Sequence, residues 1–121
     1  MGAAATGFLF ASTYVAGTIT ISAGQAGTPQ NLLLLIQAQL DAQCPGAAQE
    51  VTIQTDASGS LYVGRYNLVG ALSTTNYGYL LSSGSPGASR TYRSSFPGNN
   101  SPVGDLWVLM TGAGTFHVEV A

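Results

Sequence analysis

Most of the chain alternates between apolar and polar residues, with the two-residue period of a half-buried β-strand. Val51 and Ile53 alternate with Thr52 and Gln54. The segment TFHVEV at 115–120 likewise places a phenylalanine and two valines on one side, with a histidine and a glutamate on the other. This pattern predicts a mainly β protein.

Turns rich in Gly, Ser, Asn and Pro separate the alternating segments. They predict seven or eight strands within 7–22, 50–55, 60–66, 77–81, 90–96, 106–110 and 115–120. The first segment is expected to break near Gly17, and the turn Asp56–Gly59 predicts a β-hairpin between 50–55 and 60–66. With no linker in view, we expect one domain over 1–121, a β-sandwich or small barrel of antiparallel strands.

One stretch, TPQNLLLLIQAQLDAQCPG at 28–46, departs from this pattern. Thr28 is a suitable N-cap and Pro29 suits the first helical position, while Pro45 and Gly46 would stop a helix. The stretch therefore predicts one α-helix, at about residues 29–43, that covers an open end or face of the sheets.

Six apolar residues of this helix fall on about half of its circumference, namely Leu32, Leu33, Leu35, Ile36, Leu40 and Cys44. Leu34 falls outside that stripe and is a candidate contact with a neighbouring subunit. Cys44 is predicted to be a small buried hydrophobic residue. The apolar run is shorter than the roughly 20 residues that span a bilayer, so a membrane is not an expected partner.

Charged residues are scarce and change the expected class of partner. They make up 7% of the chain, with no lysine, against roughly 25% in ordinary soluble domains. Three arginines and a net charge of −2 offer no basic cluster for a nucleic acid. Because soluble monomers usually carry mixed surface charge, this composition favours assembly with copies or a partner; a neutral monomer is the alternative.

The residues that could do chemistry do not form a recognised catalytic set. His117 is the single histidine and is expected on the outer face of the last strand. The chain has no nucleophile-elbow motif and no phosphate-binding glycine loop before a helix. Asp56 precedes Ala-Ser-Gly and is typical of a turn. We therefore expect neither an enzyme nor a cofactor, with a hydrolase that uses His117 as base as the weaker alternative.

The candidate contact residues lie in and near two loops. The loops at 82–89 and 97–105, the second of which contains Asn99 and Asn100, are expected to carry recognition. Arg90 and Arg93 lie close to both loops and are candidates for ion pairs with a neighbouring subunit; solvated arginines are the alternative. Six tyrosines and Trp107 leave open a carbohydrate-binding surface, although rings at alternating positions are also usual in cores.

Three segments, VTIQTDASGSLYVG (51–64), LSTTNYGYLLSSG (72–84) and DLWVLMTGAGTFHVEV (105–120), resemble small virion proteins of tailed bacteriophages. The resemblance implies a structural virion protein without enzymatic activity, of the head decoration or cement type. It also implies a homo-oligomer, with a trimer favoured, that binds the major capsid protein on the capsid surface after synthesis in the bacterial cytoplasm. A tail or head-fibre component and a carbohydrate- or surface-binding β-sandwich module are the alternatives.

Overall fold

The computed structural model describes residues 14–44, 50–65, 72–93, 104 and 106–121. Within them the chain forms eight strands and one helix. In chain order these are β1 Val15–Ile21, β2 Gln30–Asn31, α1 Leu32–Gln39, β3 Glu50–Thr55, β4 Leu61–Arg65, β5 Tyr79–Leu81, β6 Ser89–Arg93, β7 Leu106–Leu109 and β8 Gly114–Val120. The prediction of a mainly β protein with one helix is confirmed.

The strands form two four-stranded antiparallel sheets. The first sheet has the order β1-β8-β3-β6 and the second has the order β2-β7-β4-β5. Strand pairs β1–β8, β2–β7, β3–β6 and β4–β5 are those of one long hairpin rolled up on itself. Two further pairs join these strands into four-stranded sheets: β3–β8 in the first sheet and β4–β7 in the second. This is the strand order of a jelly roll, a β-sandwich with eight strands in two sheets.

The inner faces of the two sheets form the core, as the alternation predicts. Ile19, Val51, Ile53 and Phe116 of the first sheet have no exposed surface, and Val63 of the second is equally buried. Because opposed residues point to the same side of a sheet, one alternating pattern carried through paired strands gives a continuous apolar layer.

The predicted hairpin between 50–55 and 60–66 is wrong, because β3 and β4 belong to different sheets. The turn after β3 carries the chain across the sandwich instead of folding it back. Asp56 accepts hydrogen bonds from the backbone N–H of Ser58 and from the Thr115 hydroxyl. The turn is thereby bound to β8, which fixes it at the end of the first sheet. Tyr66 and residues 94–96, also assigned to strands, lie outside the described residues.

The helix is shorter than predicted and begins at a different cap. Gln30 and Asn31 pair with β7, so the backbone stays extended where Thr28 and Pro29 predicted helix. Asn31 is the N-cap, and its side chain accepts a hydrogen bond from Leu34 N at 3.1 Å. The helix ends at Gln39, and Pro45 and Gly46 lie outside the described residues.

The predicted apolar stripe faces the core, although Leu33 and Leu40 are only partly buried against it. Leu32, Leu35 and Ile36 are buried in the core, whereas Leu34 is 64% exposed. Cys44 lies beyond the helix but is buried, with 2% of its surface exposed. Burial, followed by the nearby charge of Asp41, raises the pKa of the Cys44 thiol.

The break expected near Gly17 is absent, because β1 runs unbroken from Val15 to Ile21. Gly17 pairs with Val118. A Cβ at Gly17 would lie 2.6 Å from Cδ2 of Leu40, so the glycine makes room for a leucine that follows the helix. The earlier part of the predicted segment, 7–13, lies outside the described residues.

Candidate functional site: the outer face of the first sheet and the open side of the sandwich

β6 is an edge strand of the first sheet and β5 is an edge strand of the second. Side chains of these two strands meet between the sheets on one side of the sandwich. Arg90 and Tyr92 lie opposite Ile53 and Val51, and Tyr79 lies opposite Val63. All three side chains therefore start from the inner faces of the sheets.

The Arg90 guanidinium carbon lies 4.4 Å from the ring centre of Tyr79 and 5.1 Å from that of Tyr92. A cation over an aromatic face is attracted by the electron density of the ring. Arg90 thus joins one edge strand of each sheet through two rings of its own chain.

Arg93 has an ion-pair partner within the chain. Its Nε lies 2.5 Å from Oε2 of Glu50, which is opposite it in the β3–β6 pair. The Arg93 side chain is 72% exposed, so solvent screens the pair and its contribution to stability is small. Both arginines therefore have partners in their own chain, whereas contacts with another subunit stay a prediction. Asn99 and Asn100 lie outside the described residues.

Outward residues of the first sheet form two rows that cross all four strands. One row contains Thr18, His117, Gln54 and Ser89, and the other contains Ala16, Glu119, Thr52 and Thr91. The prediction that His117 and Glu119 point outward is confirmed, and both are exposed.

A depression of about 380 Å³ lies across these rows. Its lining combines the backbone near Ala16 and Gly17 with polar side chains from β3, β6 and β8. Ala16 is small and leaves room at the β1 side. Of the residues that line the depression, only His117 is a candidate for function on the sequence alone, and the fold adds the others.

Each of three polar side chains that line the depression is fixed by a hydrogen bond at one of its two polar atoms. Oε2 of Glu119 accepts a hydrogen bond from the Tyr14 hydroxyl at 2.7 Å, and this bond raises the pKa of Tyr14. Nδ1 of His117 lies 2.9 Å from the Thr18 hydroxyl, and the tautomer decides which of the two donates. Nε2 of Gln54 donates to the Gly87 carbonyl at 3.1 Å.

All three residues line the depression. Their remaining polar atoms make no hydrogen bond with another described residue. They are Oε1 of Glu119, Nε2 of His117 and Oε1 of Gln54. A side chain fixed at one atom loses little further freedom when its other atom binds a ligand. The alternation of β3 and β8 shows that these residues face outward, but only the long-range register brings them together.

The residues of a possible hydrolase are engaged in other contacts. Ser58 Oγ donates to the Thr115 carbonyl and accepts from the Thr115 N–H. Hydrogen bonds from Ser58, then from Thr115, hold the pKa of Asp56 below its ordinary value. No hydrogen bond among the described residues joins Ser58 to His117. These contacts anchor a turn and do not assemble a nucleophile with a base.

The exposed tyrosines do not form one continuous platform on the described surface. Tyr62 and Tyr77 stack edge to face, with ring centres 5.1 Å apart, while Tyr79 lies against Arg90. Trp107 is partly buried in β7. The described part of the chain has no group of three or more potential metal ligands. Its helix of eight residues is too short to cross a membrane.

No protein-family model, curated protein or solved structure matches the chain. A function can therefore be proposed only from the chemistry and arrangement of the described residues and from the resemblance of segments 51–64, 72–84 and 105–120 to phage virion proteins.

Proposed function

We propose that the protein is a structural component of a tailed-phage virion, a capsid decoration protein that binds the major capsid protein as a homo-oligomer. The observation that carries the proposal is a jelly-roll sandwich built from a chain in which only 7% of the residues are charged. Jelly rolls are used in viral capsid domains and in lectins, and because a fold alone does not define a function, the surface has to decide between them.

The surface supports assembly through neutral contacts. The two outward rows that cross all four strands of the first sheet carry one glutamate and one histidine among Thr, Gln, Ser and Ala. The other charged residues facing outward on these strands, Glu50 and Arg93, pair with each other. Such a face can be covered by protein without burying many unpaired charges, each of which would be costly to bury. On the helix, Leu34 exposes an apolar side chain to solvent.

A decoration protein stabilises a shell through repetition. Each copy needs to contribute only a weak contact, because an oligomer that bridges neighbouring capsid subunits multiplies the contacts and raises the effective concentration of each. Binding to the assembled shell then shifts its equilibrium away from the dissociated subunits. No cofactor and no reaction are needed for this role.

Two measurements test the proposal. Light scattering after gel filtration should give a closed oligomer, with three times the 12.3 kDa protomer mass as the favoured result. Quantitative mass spectrometry of the virions that the parent phage produces should then give a copy number comparable to that of the major capsid protein. A monomer in the first measurement, or absence from virions in the second, would contradict the proposal.

The copy number also separates the proposal from its nearest alternative. A tail or head-fibre component would be present at far fewer copies per particle than the major capsid protein. The second candidate function, a carbohydrate-binding module, is favoured by the polar depression on the first sheet and by the use of jelly rolls in lectins. That candidate predicts binding to saccharides whatever the oligomeric state.

A further inference from the structure

We infer that the depression on the outer face of the first sheet binds a neutral saccharide. Its volume of about 380 Å³ is at the lower end of the roughly 300–1,000 Å³ of small-molecule sites. The inference gives the ligand class of the second candidate function and does not rest on capsid binding, because it is argued only from the residues that line the depression.

The chemistry of the lining selects the ligand class. Unlike a typical apolar pocket, this one is lined mainly by polar groups: a carboxylate, an imidazole, an amide and hydroxyls. These groups can donate to and accept from the same ligand, as adjacent sugar hydroxyls require.

The charge of the lining narrows the class further. The carboxylate of Glu119 accepts hydrogen bonds from hydroxyls strongly but repels an anion. Among the lining residues there is no arginine or lysine to offset that repulsion. A neutral sugar therefore fits better than a phosphate, a sulfate or a uronic acid.

The geometry gives the three binding side chains fixed positions. His117 lies directly opposite Gln54, and Glu119 is the next outward residue along β8. Tyr14, Thr18 and the Gly87 carbonyl each hold one of these side chains. The three open acceptor or donor atoms therefore lie on neighbouring positions of one rigid sheet, which is the arrangement that a ring with several hydroxyls can bridge.

The test uses the full-length, ¹⁵N-labelled chain and amide chemical shifts. The probes are the methyl glycosides of glucose, galactose, mannose and N-acetylglucosamine, with glucuronic acid as the charged comparison. We expect at least one neutral glycoside to shift amides within 16–18, 52–54 and 117–119, with a dissociation constant on the order of 1 mM for so shallow a site.

Variants separate this site from others. Glu119→Gln, which replaces a charge-assisted hydrogen bond by a neutral one, and Gln54→Ala, which removes one hydrogen bond, should each weaken binding about threefold to tenfold. Thr20→Ala is the matched control, because Thr20 lies on the same face of β1 and does not line the depression. It should bind as the unmodified chain does. A dispersed amide spectrum for each variant establishes that it is folded.

Four results would overturn the inference. They are the absence of shifts for every neutral glycoside at about a hundred times the expected dissociation constant, glucuronic acid binding at least as well, equal losses in Thr20→Ala and Gln54→Ala, and shifts centred on the Trp107 indole. The last result would assign saccharide binding to the second sheet. None of them bears on the oligomer mass or the virion copy number, so the two proposals fail separately.

Discussion

The side-chain amide of Gln39 hydrogen-bonds both backbone groups of Thr20. Oε1 of Gln39 accepts from Thr20 N at 2.8 Å, and Nε2 donates to Thr20 O at 2.9 Å. Thr20 lies on β1, which forms one edge of the first sheet. The glutamine thus makes the two hydrogen bonds that a further strand would make, and it blocks part of an edge that could otherwise pair with another chain.

Gln39→Ala should expose this edge. We expect the free energy of unfolding to fall by about 1 kcal/mol, because the two backbone groups exchange a protein partner for water. Self-association on heating should also increase. Chemical denaturation and light scattering measure the two effects. Gln43→Ala is the control, since the side chain of Gln43 is exposed at the turn after the helix and makes no hydrogen bond with the described residues. Equal effects of both substitutions would contradict the edge-blocking role.

The two arginines should differ in their contribution to stability. Arg90→Ala removes the cation between Tyr79 and Tyr92, and we expect a loss of about 1–2 kcal/mol in the free energy of unfolding. Arg93→Ala removes an exposed ion pair with Glu50 and should cost less than about 1 kcal/mol. Denaturant titration of both variants gives the comparison. A larger effect at Arg93, or a loss of oligomer mass in Arg90→Ala without loss of stability, would favour a role between subunits.

Leu34→Glu should weaken the oligomer and leave the fold intact. Leu34 is 64% exposed, so its removal opens no cavity, whereas burying a leucine at an interface contributes roughly 1.5–3 kcal/mol. Light scattering should show a lower molar mass, and circular dichroism should be unchanged. Leu35→Glu is the matched control, because Leu35 is 5% exposed and a charge there should unfold the chain. An oligomer mass unaffected by Leu34→Glu would remove Leu34 from the interface.

Asp56 should make stability depend on acid pH. Its pKa is lowered in the folded chain by hydrogen bonds from Ser58 and Thr115. A carboxyl whose pKa is lower when folded stabilises the fold above its unfolded pKa, about 3.9, and loses that contribution as the pH falls through the folded value. Asp56→Asn should therefore cost about 1 kcal/mol near neutral pH, reduced by the solvent exposure of the site.

The difference between the unmodified chain and Asp56→Asn should shrink as the pH falls from neutral to below the folded pKa. Denaturation at a series of pH values measures this. Thr115→Val, which removes the hydroxyl that donates to Asp56 and lowers its pKa, should move the loss to higher pH. A difference that stays constant with pH would show that Asp56 acts through turn shape and not through its charge.

Local patterns predicted the elements better than their pairing. Alternation identified the inner and outer faces of β3 and β8, and helical periodicity separated Leu34 from its buried neighbours. The hairpin between β3 and β4 was wrong because Asp56 and the residues after it resemble a hairpin turn, whereas the sheet assignment depends on bonds to Thr115, far along the chain. Segment 28–31 looked helical because no local signal shows that Asn31 pairs with Trp107.

In the candidate site, too, local patterns predict the orientation of single residues better than their grouping. The sequence predicts that Gln54, His117 and Glu119 face outward, but their grouping follows from register between strands more than sixty residues apart. The sequence gives no signal that Arg90 lies between the rings of Tyr79 and Tyr92, because Tyr79 belongs to the other sheet. Low charge and the phage resemblance favoured assembly, and neither identifies the surface that makes the contact.

The position of β8 sets the order in which the chain can fold. β8 lies between β1 and β3, and Val15 pairs with Val120. On the ribosome, β1 is therefore synthesised first among the described strands and cannot pair with β8 until β8, the last of them, has been made. A nascent chain that stops before residue 114 cannot complete the first sheet, because β8 joins β1 to β3. Folding is therefore completed only after β8 is made. Because β1 and β8 are far apart in sequence, we expect this last step to be slow. During that interval the apolar face of β1 is exposed to other nascent chains and to chaperones.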